Sequence, residues 1–273
     1  MSEETVAFTK EGIKLSYGRF LSDSAGGYVL LIIAAHLIAY SKIPVPPALQ
    51  GDSNQAKSAA IVLAGVFILL LGPPFGLALN SVSWFSLGWI QVLFLNGWAK
   101  FRWLNWTMSK LAYHTGQEYN TALLRRTFTF LDPAERAKQP RRQSLYSQLH
   151  LIKKILQVHF PHLLGRGEYL TGIKIFTRNL SLLCLALAFW PGLEDTRFWL
   201  LIAAIALTLL ACLLELYDAL ELMFSTHSLC LGCDTTSAYA LLAEQVPEDP
   251  RPMSFAVCIK ALLDQAPKRI GGS

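Results

Sequence analysis

Residues 58–99, SAAIVLAGVFILLLGPPFGLALNSVSWFSLGWIQVLFLNGWA, run for 42 positions between Lys57 and Lys100 without one Asp, Glu, Lys or Arg. A water-soluble core has no use for so long an uncharged run. A helix crossing about 30 Å of hydrocarbon does, and needs about 20 mostly apolar residues. Three further apolar blocks, Tyr28–Tyr40, Ser181–Trp190 and Phe198–Leu214, repeat the pattern. Spanning segments satisfy their backbone groups internally as helices, so the sequence implies an all-α, polytopic membrane protein.

Composition agrees. Charged residues are 16% of the 273, hydrophobic residues 53%, and the mean hydropathy is +0.37. An ordinary soluble domain carries about 25% charge. The five cysteines are scattered and odd in number, with Cys184 and Cys212 inside apolar blocks, which excludes a secreted disulfide framework. Charges at Glu3, Glu4, Lys10, Glu11, Lys14, Arg19 and Asp23 do not fit a signal peptide. The first span, opened by Gly26-Gly27, is therefore expected to remain as an uncleaved anchor.

That span is expected from Gly27 to about Ile43, where Pro44-Val45-Pro46-Pro47 stops it, since proline cannot donate to a helix ladder. The second follows Lys57 and is expected to be interrupted at Gly72-Pro73-Pro74. The third runs from Phe176 to Trp190 and the fourth from Phe198 to about Tyr217, with a polar turn at Pro191-Gly192 and Glu194-Asp195. Residues 75–98 permit two readings, a further crossing or an in-plane helix. Trp84, Trp89, Trp98, Trp103 and Trp106, five of the seven tryptophans, favour the headgroup level.

Charge asymmetry chooses between four and five spans. Arg125-Arg126, Lys138, Arg141-Arg142 and Lys153-Lys154 mark the middle region as cytoplasmic by the positive-inside rule. Four transmembrane helices, arranged as two hairpins, put both termini on that same side. The organisation expected is a cytoplasmic segment 1–26, a first hairpin 27–80 and a Trp-rich interfacial segment 81–115. A basic helical cytoplasmic region 116–174, a second hairpin 175–217 and a cytoplasmic helical segment 218–273 complete it. The membrane implied is a bacterial inner (plasma) membrane.

Within the middle region, Leu145, Leu149, Ile152, Leu156 and Phe160 recur every three or four residues, with Lys153 and Lys154 off the stripe. This is an amphipathic helix. Its apolar face fits packing against neighbouring helices or a second subunit. Its basic residues fit anionic lipid, worth about 1 kcal/mol per charge. A net charge of +5 and the absence of any recognition fold exclude nucleic acid.

Three constellations could carry chemistry. His227, Cys230 and Cys233 stand at ligand spacing and would hold zinc if Cys258 or Asp234 supplied a fourth donor, although no second ligand pair accompanies them. Glu215, Asp218 and Glu221 wind round one side of the fourth helix's cytoplasmic end, and the turn register sets Arg178 level with about Glu215. An ion pair of Arg178 with Glu215 or Asp218 is expected, or a charged lining to a pathway. His36 lies mid-span among Ala34, Ala35 and Ala39, where it packs across helices or serves proton, metal or gating work.

No GxSxG, HExxH, phosphate-loop or dinucleotide motif occurs. The preferred expectation is a non-enzymatic, oligomeric subunit, scaffold or gated pore in the bilayer, needing no cofactor and receiving a cytoplasmic partner or signal. A pore acting as a bacterial defence effector is one version. A metal or redox enzyme using the His227/Cys230/Cys233 cluster, and a small-molecule or ion transporter, are the alternatives.

Overall fold

A computed structural model of the protein describes residues 18–40, 54–97, 121–132, 135, 144–160, 165–230 and 252–266. Among these residues every regular element is helical. A π-helical turn, Leu21–Ala25, leads into α1 (Gly26–Tyr40). Then come α2 (Asn54–Ser83), a second π turn (Trp84–Gly88), α3 (Trp89–Gly97), α4 (Thr121–Thr127), α5 (Leu145–His159), α6 (Gly165–Ala188), α7 (Arg197–Cys230) and α8 (Phe255–Gln265). Three helices are long and apolar enough to cross a membrane: Gly65–Gly97, Gly167–Ala188 and Glu194–His227. The expected helices at 237–243, and Trp98, Trp103 and Trp106, lie outside the described residues.

The chain forms two compact units. An apolar unit comprises Ile13–Trp89 and Tyr169–Ala211. A mixed unit comprises Met1–Gly12, Ile90–Glu168 and Cys212–Ser273.

In the apolar unit α1 crosses α2 at glycines. A Cβ on Gly27 would overlap the Gly72 carbonyl oxygen and the Gly76 amide, and one on Gly76 would overlap the Asp23 carbonyl. The Gly72-x-x-x-Gly76 spacing puts both on one helix face, so the two backbones touch, as small residues allow in apolar surroundings.

The same region overturns the expected interruption at Gly72-Pro73-Pro74. Both prolines lie inside α2, which runs on through 80–81 and the π turn into α3. Pro73 has no N–H for the carbonyl of Leu69, four residues back. The Tyr28 hydroxyl from α1 donates to that carbonyl instead, at 3.3 Å, while its ring lies over Gly72. Residues 75–97 therefore belong to one helix and not to a new segment. From Gly65 on, its buried positions are Gly72, Gly76, Leu79, Ser83, Gly88, Gln91 and Leu95. The intervals of three and four expand to five only at the π turn, whose wider winding returns the stripe to the same face. Leu69, Leu70 and Phe85 are exposed on the other faces, Phe85 at 88%.

The turn after α6 needs Gly192, whose φ of +87° is a conformation that side chains with a Cβ avoid. Arg197 Nε donates to the Ala188 carbonyl at 2.9 Å, satisfying an orphan acceptor at the end of α6. Deeper along, Ser181 Oγ donates to the Ala204 carbonyl (2.8 Å) and lies 2.7 Å from Thr208 Oγ1.

Helix α7 passes the expected stop at Tyr217 and ends at Cys230. At 34 residues it is about 51 Å long, against about 30 Å of hydrocarbon. Its first turns expose Phe198, Trp199 and Ile205, whereas every residue from Glu215 to His227 is buried. The reason is enclosure: a helix surrounded on all sides by the mixed unit shows no single apolar stripe, so hydropathy alone could not locate where its membrane part stops.

The mixed unit buries the stripe on α5 expected from spacing, Leu145, Leu149, Ile152, Leu156 and Phe160, and leaves Lys154 exposed. Ser144 caps that helix by accepting from the Ser147 N–H, and Asn96 Oδ1 accepts from the Leu145 N–H at 3.0 Å. Ser254 caps α8 in the same way through Val257 N–H.

Candidate functional site

In the apolar unit a polar cluster forms where the π turn meets α6. Arg178 is buried; its Nη2 donates to Asn80 Oδ1 at 2.6 Å, its Nε donates to Ser83 Oγ at 3.2 Å, and its guanidinium lies 5.0 Å from the Trp84 ring centroid. Fully buried Asn179 reaches Ser83 Oγ at 2.5 Å and presses its amide against Gly26. Ser83 has one hydroxyl hydrogen and two acceptors in reach, Asn179 Oδ1 and the Asn80 carbonyl at 3.0 Å. Turning the Asn179 amide over satisfies both: Nδ2 then donates to Ser83, and Ser83 to Asn80. The cluster is a hydrogen-bonded lock between α2 and α6, with the other buried polar atom of the Asn179 amide left outside the network. It supplies what a buried cation needs, since an isolated Arg at a helix centre in lipid costs about 2.5–3.5 kcal/mol or more. Asn179 opens a glycosylation sequon, Asn179-Leu180-Ser181, that burial closes to modification.

The acids stand in the mixed unit. Glu215, Asp218 and Glu221 are all buried, at 6%, 7% and 9% exposure. Asp218 Oδ2 accepts from Lys153 Nζ of α5 at 3.3 Å. Half-buried Arg125 has its pKa held below the usual value by burial, with the Asp132 charge opposing.

Thr127 is the junction of this unit. Its Oγ1 lies 3.4 Å from His227 Nε2, and its carbonyl accepts from the Met253 N–H at 2.6 Å. Thr129 N–H donates back to the Met253 carbonyl at 3.1 Å. Phe128 meets the His227 ring edge-on at 6.0 Å, and Phe130 meets Phe255 at 5.4 Å. One short segment thus grips the end of α7 and the start of α8.

Of the expected metal ligands, Cys230 and Cys258 face each other through a side-chain hydrogen bond. That bond holds the Cys230 thiol below the ordinary range. The same bond, and then burial, push Cys258 far above it. His227 is turned to Thr127, and Cys233 lies outside the described residues. Among the described residues no three His, Cys, Asp or Glu side chains gather around a metal position. His36 is exposed on α1, next to exposed Ala35.

Sequence reasoning named Arg178 but missed Asn80, Ser83, Trp84 and Asn179 around it, because neutral polar residues carry no spacing signature. The glycine contact had one: Gly26-Gly27 and Gly72-x-x-x-Gly76. No protein-family model, curated protein or solved structure matches the chain.

Proposed function

We propose that the protein is a four-span membrane subunit, built as two antiparallel hairpins, that works as a homo-oligomer. In this reading the mixed unit is a cytoplasmic helical module that receives a partner or signal. One observation carries it: Thr127 of the basic middle region is bound to both His227 and Met253 of the carboxyl-terminal region. Groups in hydrogen-bond contact share one side of a bilayer, so the chain crosses an even number of times between them, and α6 and α7 are the two crossings. The register of Ser181 with Ala204 and Thr208 supports the hairpin. The bond from Leu145 to Asn96 supports having the end of α3 on that side too. The basic charge of the middle region makes the side cytoplasmic.

Oligomerisation is supported by α1. His36 is exposed on a helix whose other residues are almost wholly apolar. Exposed Ala35 beside it, a small residue, permits the close approach of a helix from a second copy. Purification of the intact chain in mild detergent, with mass photometry across a dilution series, is expected to show one defined oligomer. A monomer at every concentration overturns the oligomeric part of the reading.

A further inference from the structure

We propose that Cys230 and Cys258 form a reversible dithiol, whose oxidation staples the start of α8 to the end of α7. The inference rests on the packing of the mixed unit and stands whether or not the chain oligomerises.

The two thiols come from elements that a third segment holds in register. His227 sits one turn before Cys230, and Met253 with its cap Ser254 precedes Cys258 on α8. Both His227 and Met253 are held by Thr127, through its hydroxyl and its carbonyl respectively. The ring of Phe255 on Phe130 fixes the first residue of α8. These three contacts hold the end of α7 and the start of α8 against one segment, and the Cys230 and Cys258 side chains meet there.

Their exposures divide the roles. Cys230 is half-buried and reachable from solvent, whereas Cys258 is fully buried. Cys230 also holds its thiolate more readily than an ordinary thiol, because Cys258 donates to it. Thiolate, not thiol, is the attacking species. The oxidant required is a small-molecule disulfide such as oxidised glutathione. Cys230 Sγ attacks one of its sulfurs, the S–S bond breaks, and the other half leaves as a thiolate with the bonding pair. Cys258 then loses its proton to water and attacks Cys230 Sγ, expelling the second half. Two protein thiols are oxidised to one disulfide, and one small disulfide is reduced to two thiols.

The other cysteines do not fit these roles. Cys212 lies 18 residues before Cys230 on the same helix, about 27 Å along its axis, and Cys184 belongs to α6 in the apolar unit. Cys233, at CxxC spacing from Cys230, is the competing partner.

The test uses the full chain in detergent, equilibrated with a reduced/oxidised glutathione series, quenched by alkylation and digested for mass spectrometry. The wild type is expected to lose two of its five labelled thiols and to yield a linked peptide pair containing Cys230 and Cys258. Cys233→Ser should leave that linkage intact. Cys258→Ser should stop at Cys230 carrying one glutathionyl group, and Cys230→Ser should leave Cys258 unmodified until the protein is unfolded. A Cys230–Cys233 bridge, or glutathionylated Cys230 with no bridge in the wild type, overturns the proposal. The wild-type result does not depend on any variant folding.

Discussion

At the scale of single residues, the apolar unit shows how a charge survives among hydrocarbon-like neighbours. Arg178 uses a planar, multi-donor head: one nitrogen to Asn80, one to Ser83, and its face to Trp84. Lysine cannot reproduce that fork. Arg178→Ala is therefore expected to destabilise the protein by about 1–3 kcal/mol, the usual cost of stranding buried partners. Arg178→Lys should fall between the variant and the wild type. Thermal unfolding in detergent, followed by tryptophan fluorescence, reads both; unchanged melting in Arg178→Ala would show that the cluster contributes nothing. A second expectation concerns Cys230, whose alkylation should reach half its maximal rate at a pH below the ordinary thiol value of about 8.5. The sign follows from the bond received from Cys258, which favours the thiolate. Cys258→Ala removes the donor and should move the midpoint upward, whereas Cys258→Ser, still a donor, should hold it lower. A midpoint identical in all three proteins sinks this account.

At the scale of elements, the informative helix is α2. A Gly-Pro-Pro triplet reads as a break because an interior proline costs about 3 kcal/mol in an ordinary helix. Here Tyr28 occupies the carbonyl that Pro73 leaves unbonded, and the glycine before it lets the ring come close. Tyr28→Phe should cost about 0.6–1 kcal/mol, the range for one such bond. In a Pro73→Ala background, where the helix N–H is restored, the same change should cost markedly less. Equal cost in both backgrounds would mean that Tyr28 acts only through its ring. The crossing itself is tested by valine scanning. Gly76→Val drives a side chain into the Asp23 carbonyl and should prevent native packing, while Gly65→Val, which meets nothing within 4 Å, should leave melting unchanged. The two together separate a steric effect at the crossing from a general effect of β-branching.

At the scale of the whole molecule, the four-span proposal makes a topological statement. Single cysteines at positions 5, 50, 140 and 265, in a cysteine-free background, should be labelled from outside only at 50. Labelling at 5 with 140 protected would require five spans. Labelling at 265 with 140 protected would contradict the bonds that tie Thr127 to Met253. The basic residues of the middle region, on one side of every crossing in this topology, set the orientation through their affinity for the cytoplasmic face.

Much of this was legible in the residues themselves. The class of protein followed from the uncharged run after Lys57, because the cost of placing charge in hydrocarbon constrains composition directly. The buried stripe on α5 followed from spacing, because a 3.6-residue period maps onto one face wherever the helix lies. The continuity of α2 was not legible. The effect of a Gly-Pro-Pro triplet depends on whether a donor reaches the vacant carbonyl, and Tyr28 is 41 residues from Leu69. Nor was the end of α7, since Glu215, Asp218 and Glu221 mark a boundary in sequence but lie buried beside Leu216, Leu220 and Met223 in the fold. The meeting of Cys230 with Cys258 goes with Thr127, which joins two segments that sequence order keeps far apart. Local periodicity and transfer cost act within one segment, and the sequence determines them alone. Which distant donor meets which orphan acceptor is a property of the packed chain, and only the tertiary structure decided it.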